Sequence, residues 1–186
     1  MEKIKFTKEL KGERLVLKEH PITFNHALEA FDIIDRNMDI FKKYFPWAEK
    51  TNSAEGYFKQ FLLKLDGKMD SGEVAEYMIT LDGEFIGQIG FFSVCLRDES
   101  GEIGYWLDKE HVGKGYMQEA VSVLEKHIFG LGFNRIDLKH DSHNPKSKNV
   151  IEKMGYVFEG ISREFSFIDN NKNDRHNYSK LKSEYK

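Results

Sequence analysis

The chain has 186 residues, 40% hydrophobic and 32% charged, with a formal net charge of −3. This suits one soluble globular domain with a sizeable core and argues against an extended nucleic-acid surface. No apolar run approaches the roughly 20 residues a membrane span needs, the N-terminus lacks a signal-peptide core, and the single cysteine, Cys95, excludes an internal disulfide. The expectation is a cytoplasmic protein with Cys95 as a buried, inert thiol and no DNA or membrane partner.

In chain order, Arg14-Leu15-Val16-Leu17-Lys18 predicts a strand that ends at His20-Pro21. Residues 24–37 place Ala27, Leu28, Phe31 and Ile34 at helical spacing. A short helix is expected over Met38–Tyr44, stopping near Pro46, and another over Ser53–Leu65, capped by Asn52 or Ser53. Its apolar face is Tyr57, Phe58, Phe61, Leu62 and Leu65. The period then changes. Two apolar runs, Glu76–Leu81 and Phe85–Phe92, flank Asp82-Gly83-Glu84 and predict a hairpin. A turn near Asp98–Gly101 leads to a third antiparallel strand, Glu102–Leu107.

A helix follows from about Gly115 to Phe129, with Ala120, Val121, Leu124 and Ile128 as its stripe and Gly130 or Gly132 closing it. Arg135–Lys139 reads as a strand and Lys146–Met154 as a helix closed by Gly155. Tyr156–Phe167 and Asn177–Leu181 read as final strands around the polar turn Asp169–Asp174. A strand–helix–strand unit implies parallel pairing at that point, so the sheet is mixed.

The segment Glu110-His111-Val112-Gly113-Lys114-Gly115-Tyr116-Met117-Gln118-Glu119-Ala120 carries the chemistry. A strand, a Gly-x-Gly turn and a helix N-terminus make an anion site, because the first-turn N–H groups lack helical partners and the dipole favours negative charge. The turn is not a P-loop, since the four-residue gap and the Lys-Ser/Thr ending are missing, and the third glycine of a dinucleotide fingerprint is missing too. Gly-x-Ser-x-Gly is absent, which argues against a hydrolase triad. His140-Asp141-Ser142-His143 lacks a third ligand, and Asp169–Asp174 lacks the glutamate of a calcium loop, so no metal is expected.

Four stretches resemble the GCN5-related N-acetyltransferase (GNAT) superfamily, in the branch of the ribosomal-protein N-terminal acetyltransferases. They are Gly113-Lys114-Gly115-Tyr116 with Glu119-Ala120; Glu102–Leu107 before it; Asn144-Pro145-Lys146-Ser147 with Glu152–Tyr156; and Glu159-Gly160 together with Arg14–Leu17 and Phe45-Pro46-Trp47. The resemblance implies an α/β fold of mixed α+β type: a central, mostly antiparallel sheet of about seven strands flanked by helices on both faces. It implies one acetyltransferase domain over 1–186, with an acceptor side over about 1–70 and an acyl-CoA core over about 74–186.

The resemblance also implies acetyl-CoA as cosubstrate and transfer to an amine in a ternary complex, the acceptor being the N-terminal α-amine of a ribosomal protein. A strand bulge would free an N–H near Trp106 or Leu107 to polarise the thioester, and the pantetheine would lie along that strand. Gly113, Lys114, Gly115, Tyr116, Met117 and Gln118 would hold the pyrophosphate, and Asn144 would bond the pantetheine. Glu102 is the candidate base, with Glu159 as a second carboxylate, and Ser147 would protonate the leaving thiolate. Phe45, Trp47, Tyr57 and Tyr105 would wall the acceptor cleft.

Two positions depart from the family pattern. Glu110 stands where Arg or Gln is usual and is expected to face solvent, and Ile151 stands where many members carry the acidic tyrosine. Ser147 doubles as a first-turn helix hydroxyl and Asn144 as an Asx-turn before Pro145. Two alternatives stand beside the leading one: a small-molecule amine acetyltransferase, and a non-catalytic acyl-CoA-binding module. A homodimer is compatible with the exposed aromatics and is not required by them.

Overall fold

Asp82 and Gly83 both adopt positive φ (51° and 88°), the twist a two-residue hairpin needs. They join the strands β3 (Ala75–Leu81) and β4 (Glu84–Cys95). In this computed structural model, which describes residues 4–45, 47–48, 51–168 and 171–185, that hairpin is the middle of an eight-stranded sheet ordered β1-β2-β3-β4-β5-β6-β8-β7. The remaining strands are β1 (Glu9–Lys11), β2 (Leu15–Glu19), β5 (Ser100–Leu107), β6 (Arg135–Asp141), β7 (Val157–Ile168) and β8 (Asn171–Leu181). All neighbours are antiparallel except β5 and β6.

The sheet has one strand more than the seven expected. The extra one, β1, is three residues long and mostly polar, so it shows no period of its own; it forms by pairing with β2. β8 also begins earlier, at Asn171, so most of the expected polar turn is strand. Its tip at 169–170 lies outside the described residues.

Helices cover both faces. On one face lie α1 (Phe24–Arg36), α2 (Met38–Phe41) and a continuous helix made of α3 (Ala54–Tyr57), a π turn (Phe58–Leu62) and α4 (Leu63–Leu65). Thr23 caps α1, its Oγ1 accepting the His26 N–H at 3.2 Å, and Ser53 caps α3 the same way from Gly56 at 3.0 Å. These helices pack with Phe85, Trp106 and Met78 of the sheet. A short helix α5 (Lys68–Ser71) leads back to β3. On the other face lie α6 (Tyr116–Gly130) and α7 (Pro145–Lys153), packed with Leu17, Tyr77, Ile89, Phe91, Ile103 and Leu138. All four predicted stripe residues of α6 are fully buried. Gly132 (φ 100°) closes it, its N–H reaching the Phe129 carbonyl.

Two expected burials fail. Leu28 is 46% exposed, because α1 turns His26, Ala27, Ala30, Ile33 and Ile34 inward instead. Cys95 is half-buried rather than buried, with Sγ 3.2 Å from an oxygen of Asp98.

What draws His26 inward is His20: the two buried rings meet nitrogen to nitrogen at 2.8 Å among Phe61 and Phe85. Burial first, and the neighbouring ring second, push His20 down to about 3; burial also lowers His26. Unfolded His20 takes up a proton near pH 6.5 and folded His20 does not, so its contribution is fully present above pH 6.5 and is lost as pH falls from there toward 3. The stability of a His20→Asn variant relative to wild type should therefore improve by about 2 kcal/mol between pH 7.5 and 5. Urea unfolding at the two pH values measures it, and a pH-independent difference would remove the buried-neutral assignment.

Candidate active site

β5 and β6 pair only from Ser100↔Arg135 to Ile103↔Leu138. Beyond that, β5 stays in register with β4 to Leu107, while β6 continues with β8 to Asp141. The edge of β5 from Gly104 to Leu107 therefore has no strand partner on its β6 side. The bulge expected near Trp106 is not there: the β4–β5 register runs unbroken from Leu107 to Glu102 and shifts only between Phe92 and Cys95. The edge is freed by strand divergence instead.

A cleft of about 1050 Å³ follows this edge. At one end are Gly113, Gly115, Tyr116, Met117 and Gln118; at the other are Phe45, Trp47, Tyr57 and Phe61. Lys109, Lys139, Lys146, Lys153 and Arg175 stand along it, a basic lining in a chain of net charge −3.

Gly113 and Gly115 have φ of 86° and 82°. A Cβ on Gly113 would meet nothing within 4 Å, and one on Gly115 only the Arg14 guanidinium at 3.5 Å. The α6 N-terminus carries no side-chain cap. A bare left-handed turn with uncapped N–H groups fits a pyrophosphate in charge and space.

The turn is held from below by residues to which the sequence reading gave no role. Glu119 accepts the backbone N–H groups of Arg14 (2.6 Å) and Leu15 (3.1 Å) and the Arg14 Nε (2.7 Å). Burial pushes this carboxyl up, but the Arg14 and Leu15 bonds outweigh burial and hold it below its usual value. The same guanidinium donates to the Lys114 carbonyl at 3.1 Å and stacks over the Tyr116 ring. Lys114 itself is exposed, as is Glu110, and neither lines the cleft. A second brace is Asp108, fully buried. Burial raises it, while Arg36 and the Asn37 amide bind it and prevail.

Trp106 lines the cleft but is mostly buried against Phe41 and Phe85. Leu107 lines the cleft beside it. Tyr105, expected on the acceptor wall, projects to the opposite sheet face. Its hydroxyl lies 3.1 Å from Ser147 Oγ at the start of α7, and burial pushes it up to about 12. Ile151 is fully buried, so no side chain reaches the cleft from that position. A tyrosine hydroxyl arrives from β5 instead; the alternation of Tyr105 against Trp106 was the available signal.

Asn144 caps α7, its Oδ1 accepting the Ser147 N–H at 3.1 Å. Asn144 also lines the cleft. Ser147 Oγ is turned to Tyr105 rather than to backbone. Glu102 lines the cleft with its carboxylate 2.5 Å from Lys139 Nζ. Glu159 is outside the cleft, on β7. Hydrogen bonds from Arg135 first and Ser179 second hold it near 2. Of the aromatic walls, Tyr57 is buried and stacks on Phe61, with its hydroxyl donating to Gln88 Oε1 at 3.3 Å. His140 packs on the His176 and Tyr178 rings while His143 is exposed. Among the described residues no group of three His, Cys, Asp or Glu forms a metal site, and no helix is long and apolar enough to cross a membrane.

Residues 14–157 match the acetyltransferase (GNAT) domain family. The ribosomal-protein-serine acetyltransferase of Escherichia coli K12 is 27% identical over 169 residues, which is 89% of this chain and 92% of that protein. RimL, a ribosomal α-N-protein acetyltransferase solved with coenzyme A, superposes with a TM-score of 0.87 at 20% identity, covering 93% of this chain and 97% of that one. The microcin C7 self-immunity acetyltransferase MccE, solved with acetyl-CoA and AMP, gives 0.83 at 22% identity over 91% and 93%. With the family matched over most of its length and the fold shared from end to end, this chain belongs to the GNAT acetyltransferases.

Proposed function

We propose that this protein transfers acetyl from acetyl-CoA to the α-amine of a protein N-terminus, by direct attack in a ternary complex. The observation that carries this reading is the cleft itself. It runs from an uncapped helix N-terminus, along an unpaired strand edge, to an aromatic wall. Acetyl-CoA fits as a diphosphate, an extended amide arm and a thioester, in that order. The similarity to ribosomal-protein acetyltransferases supports a peptide acceptor. In this reading residues up to about 70 form the acceptor side and those from about 74 the acyl-CoA core.

Acetyl-CoA supplies an activated acyl group. The N–H groups of Gly113 to Gln118 hold the diphosphate, and the free edge of β5 pairs with the pantetheine as an added strand would. An N–H of that edge, at Trp106 or Leu107, polarises the thioester carbonyl, a contact typically worth about 10²–10³ in rate. Ser147 stands beside Tyr105 to protonate the thiolate, replacing the tyrosine missing at Ile151. Glu102 takes up the amine proton, directly or through water. An α-amine has a pKa of about 8, so roughly a tenth is already neutral at pH 7 and a modest base suffices.

Gly115→Asp places a side chain and a charge at a left-handed position facing the diphosphate. The acetyl-CoA dissociation constant should rise at least about tenfold by calorimetry, and an unchanged constant would refute the placement. Ser147→Ala should lower kcat by about 10–100-fold while leaving the acetyl-CoA KM within about threefold, with Tyr105→Phe giving a smaller loss in the same direction. Normal turnover with reduced stability would instead make Ser147 a helix residue only. Purified protein with a panel of N-terminal peptides and small amines tests the acceptor class. Tight acetyl-CoA binding with no amine-dependent CoA release would leave a binding module.

A further inference from the structure

Among the described residues, three carboxylates line the cleft: Glu76, Glu102 and Asp141. Two have partners that leave them a different part: Glu102, the base, is ion-paired with Lys139, and Asp141 accepts the His143 N–H at 3.0 Å and the Ser166 hydroxyl at 3.3 Å. Glu76, on β3, has no lysine or arginine within ion-pair distance among the described residues. Its bonded partner is the Gln88 amide, which donates to Oε1 at 2.5 Å. Gln88 is held in turn by the buried Tyr57 hydroxyl. The second oxygen, Oε2, lies over Gly90, where a Cβ would collide with it. Gly90 pairs with Gly104 of β5, the first residue of the free edge. The carboxylate therefore sits about one strand spacing, ~4.8 Å, from the strand along which the thioester is placed.

The surroundings suit a cation. Tyr57, Phe61 and Trp47 line the cleft with Glu76, and aromatic surroundings of this kind attract ammonium groups. An isolated carboxylate in this position is costly unless a counter-charge arrives. Resting on the acetyltransferase reading above, we infer that Glu76 is the acceptor-docking carboxylate: it binds the substrate amine as its ammonium ion, and Gln88 and Tyr57 position it. The cleft thereby selects cationic primary amines over neutral or acylated ones. The sequence reading passed over Glu76 because an isolated glutamate on a strand looks like a solvated one.

Burial raises Glu76 to about 7, against the lowering effect of Gln88. Acceptor affinity should therefore strengthen as pH rises from 6 to 8 and Glu76 ionises. The charged and titratable groups that share its two cavities are Tyr57 and Lys64 on the helix side, and Lys8, Glu19, His20, Asp66 and Lys68 on its other side. Burial holds His20 near 3, so it does not titrate in this window.

The test uses the full chain saturated with CoA and three calorimetric probes: a serine-starting tetrapeptide amide, its N-acetylated form, and spermidine. Wild type should bind the free-amine peptide at least tenfold more tightly than the acetylated one, and more tightly at pH 8 than at pH 6. In Glu76→Gln both differences should vanish, with CoA affinity and melting temperature unchanged. Glu76→Asp, which keeps the charge, should retain part of the discrimination, and it serves as the second variant should Glu76→Gln melt early. Discrimination that survives in Glu76→Gln overturns the docking role. So does a wild type that neither distinguishes the two peptides nor binds spermidine. Spermidine binding that depends on Glu76, without peptide binding, keeps the docking role and removes the protein N-terminus as the acceptor.

Discussion

The divergence of β5 from β6 is the constraint on which the site depends. A parallel pair that stops at Ile103↔Leu138 leaves the rest of β5 with backbone donors and acceptors facing a gap in the middle of a sheet. Backbone groups at such an edge need partners, and an extended amide ligand would supply them in the geometry a strand would. The gap also connects the two faces. Without it, the Gly113–Gly115 turn and the aromatic wall of Phe45, Trp47 and Tyr57 would be separated by the sheet, with no continuous path between them.

Two carboxylates fix the ends of β5 and of the turn that follows. Asp108, just after the strand, ties the loop to Arg36 and Asn37 at the end of α1. Glu119, in the first turn of α6, collects two backbone N–H groups from the start of β2 and turns the Arg14 guanidinium onto the glycine turn. Bonds of this kind to an ionised acceptor are stronger than neutral ones. They give the turn a rigid base while its outer surface stays bare. Preorganised donors of this sort spend little free energy on ordering when a ligand arrives.

Most of the fold was legible because its signals are local. The Asp82-Gly83 hairpin, the α6 stripe and the α7 cap are each written within a few residues. The elements misread are those whose state depends on a distant partner. β1 is a strand because β2 pairs with it. Leu28 is exposed because His26 is drawn to His20. The candidate site divides the same way. The glycine turn, Asn144 and Ser147 sit in recognisable short motifs and line the cleft. Tyr105 and Glu102 were read from the same motif strand, but their partners were not: Ser147 lies 42 residues away and Lys139 lies 37 away, across the fold. Glu159 carried no local sign that Arg135 would hold it outside the cleft.

Local order along the chain thus determined the family, the strand–turn–helix with its bare glycine turn, and the helix cap that presents Ser147. These follow from backbone conformation and spacing, which neighbouring residues control. Tertiary structure decided that Glu102 is paired with a lysine while Glu76 is bonded by a neutral amide, that a tyrosine hydroxyl reaches the cleft from β5 in place of one at Ile151, and that the free edge comes from strand divergence rather than a bulge. Those outcomes depend on which side chains of distant strands meet on one face of the sheet. Pairing register, and nothing within any one segment, sets that.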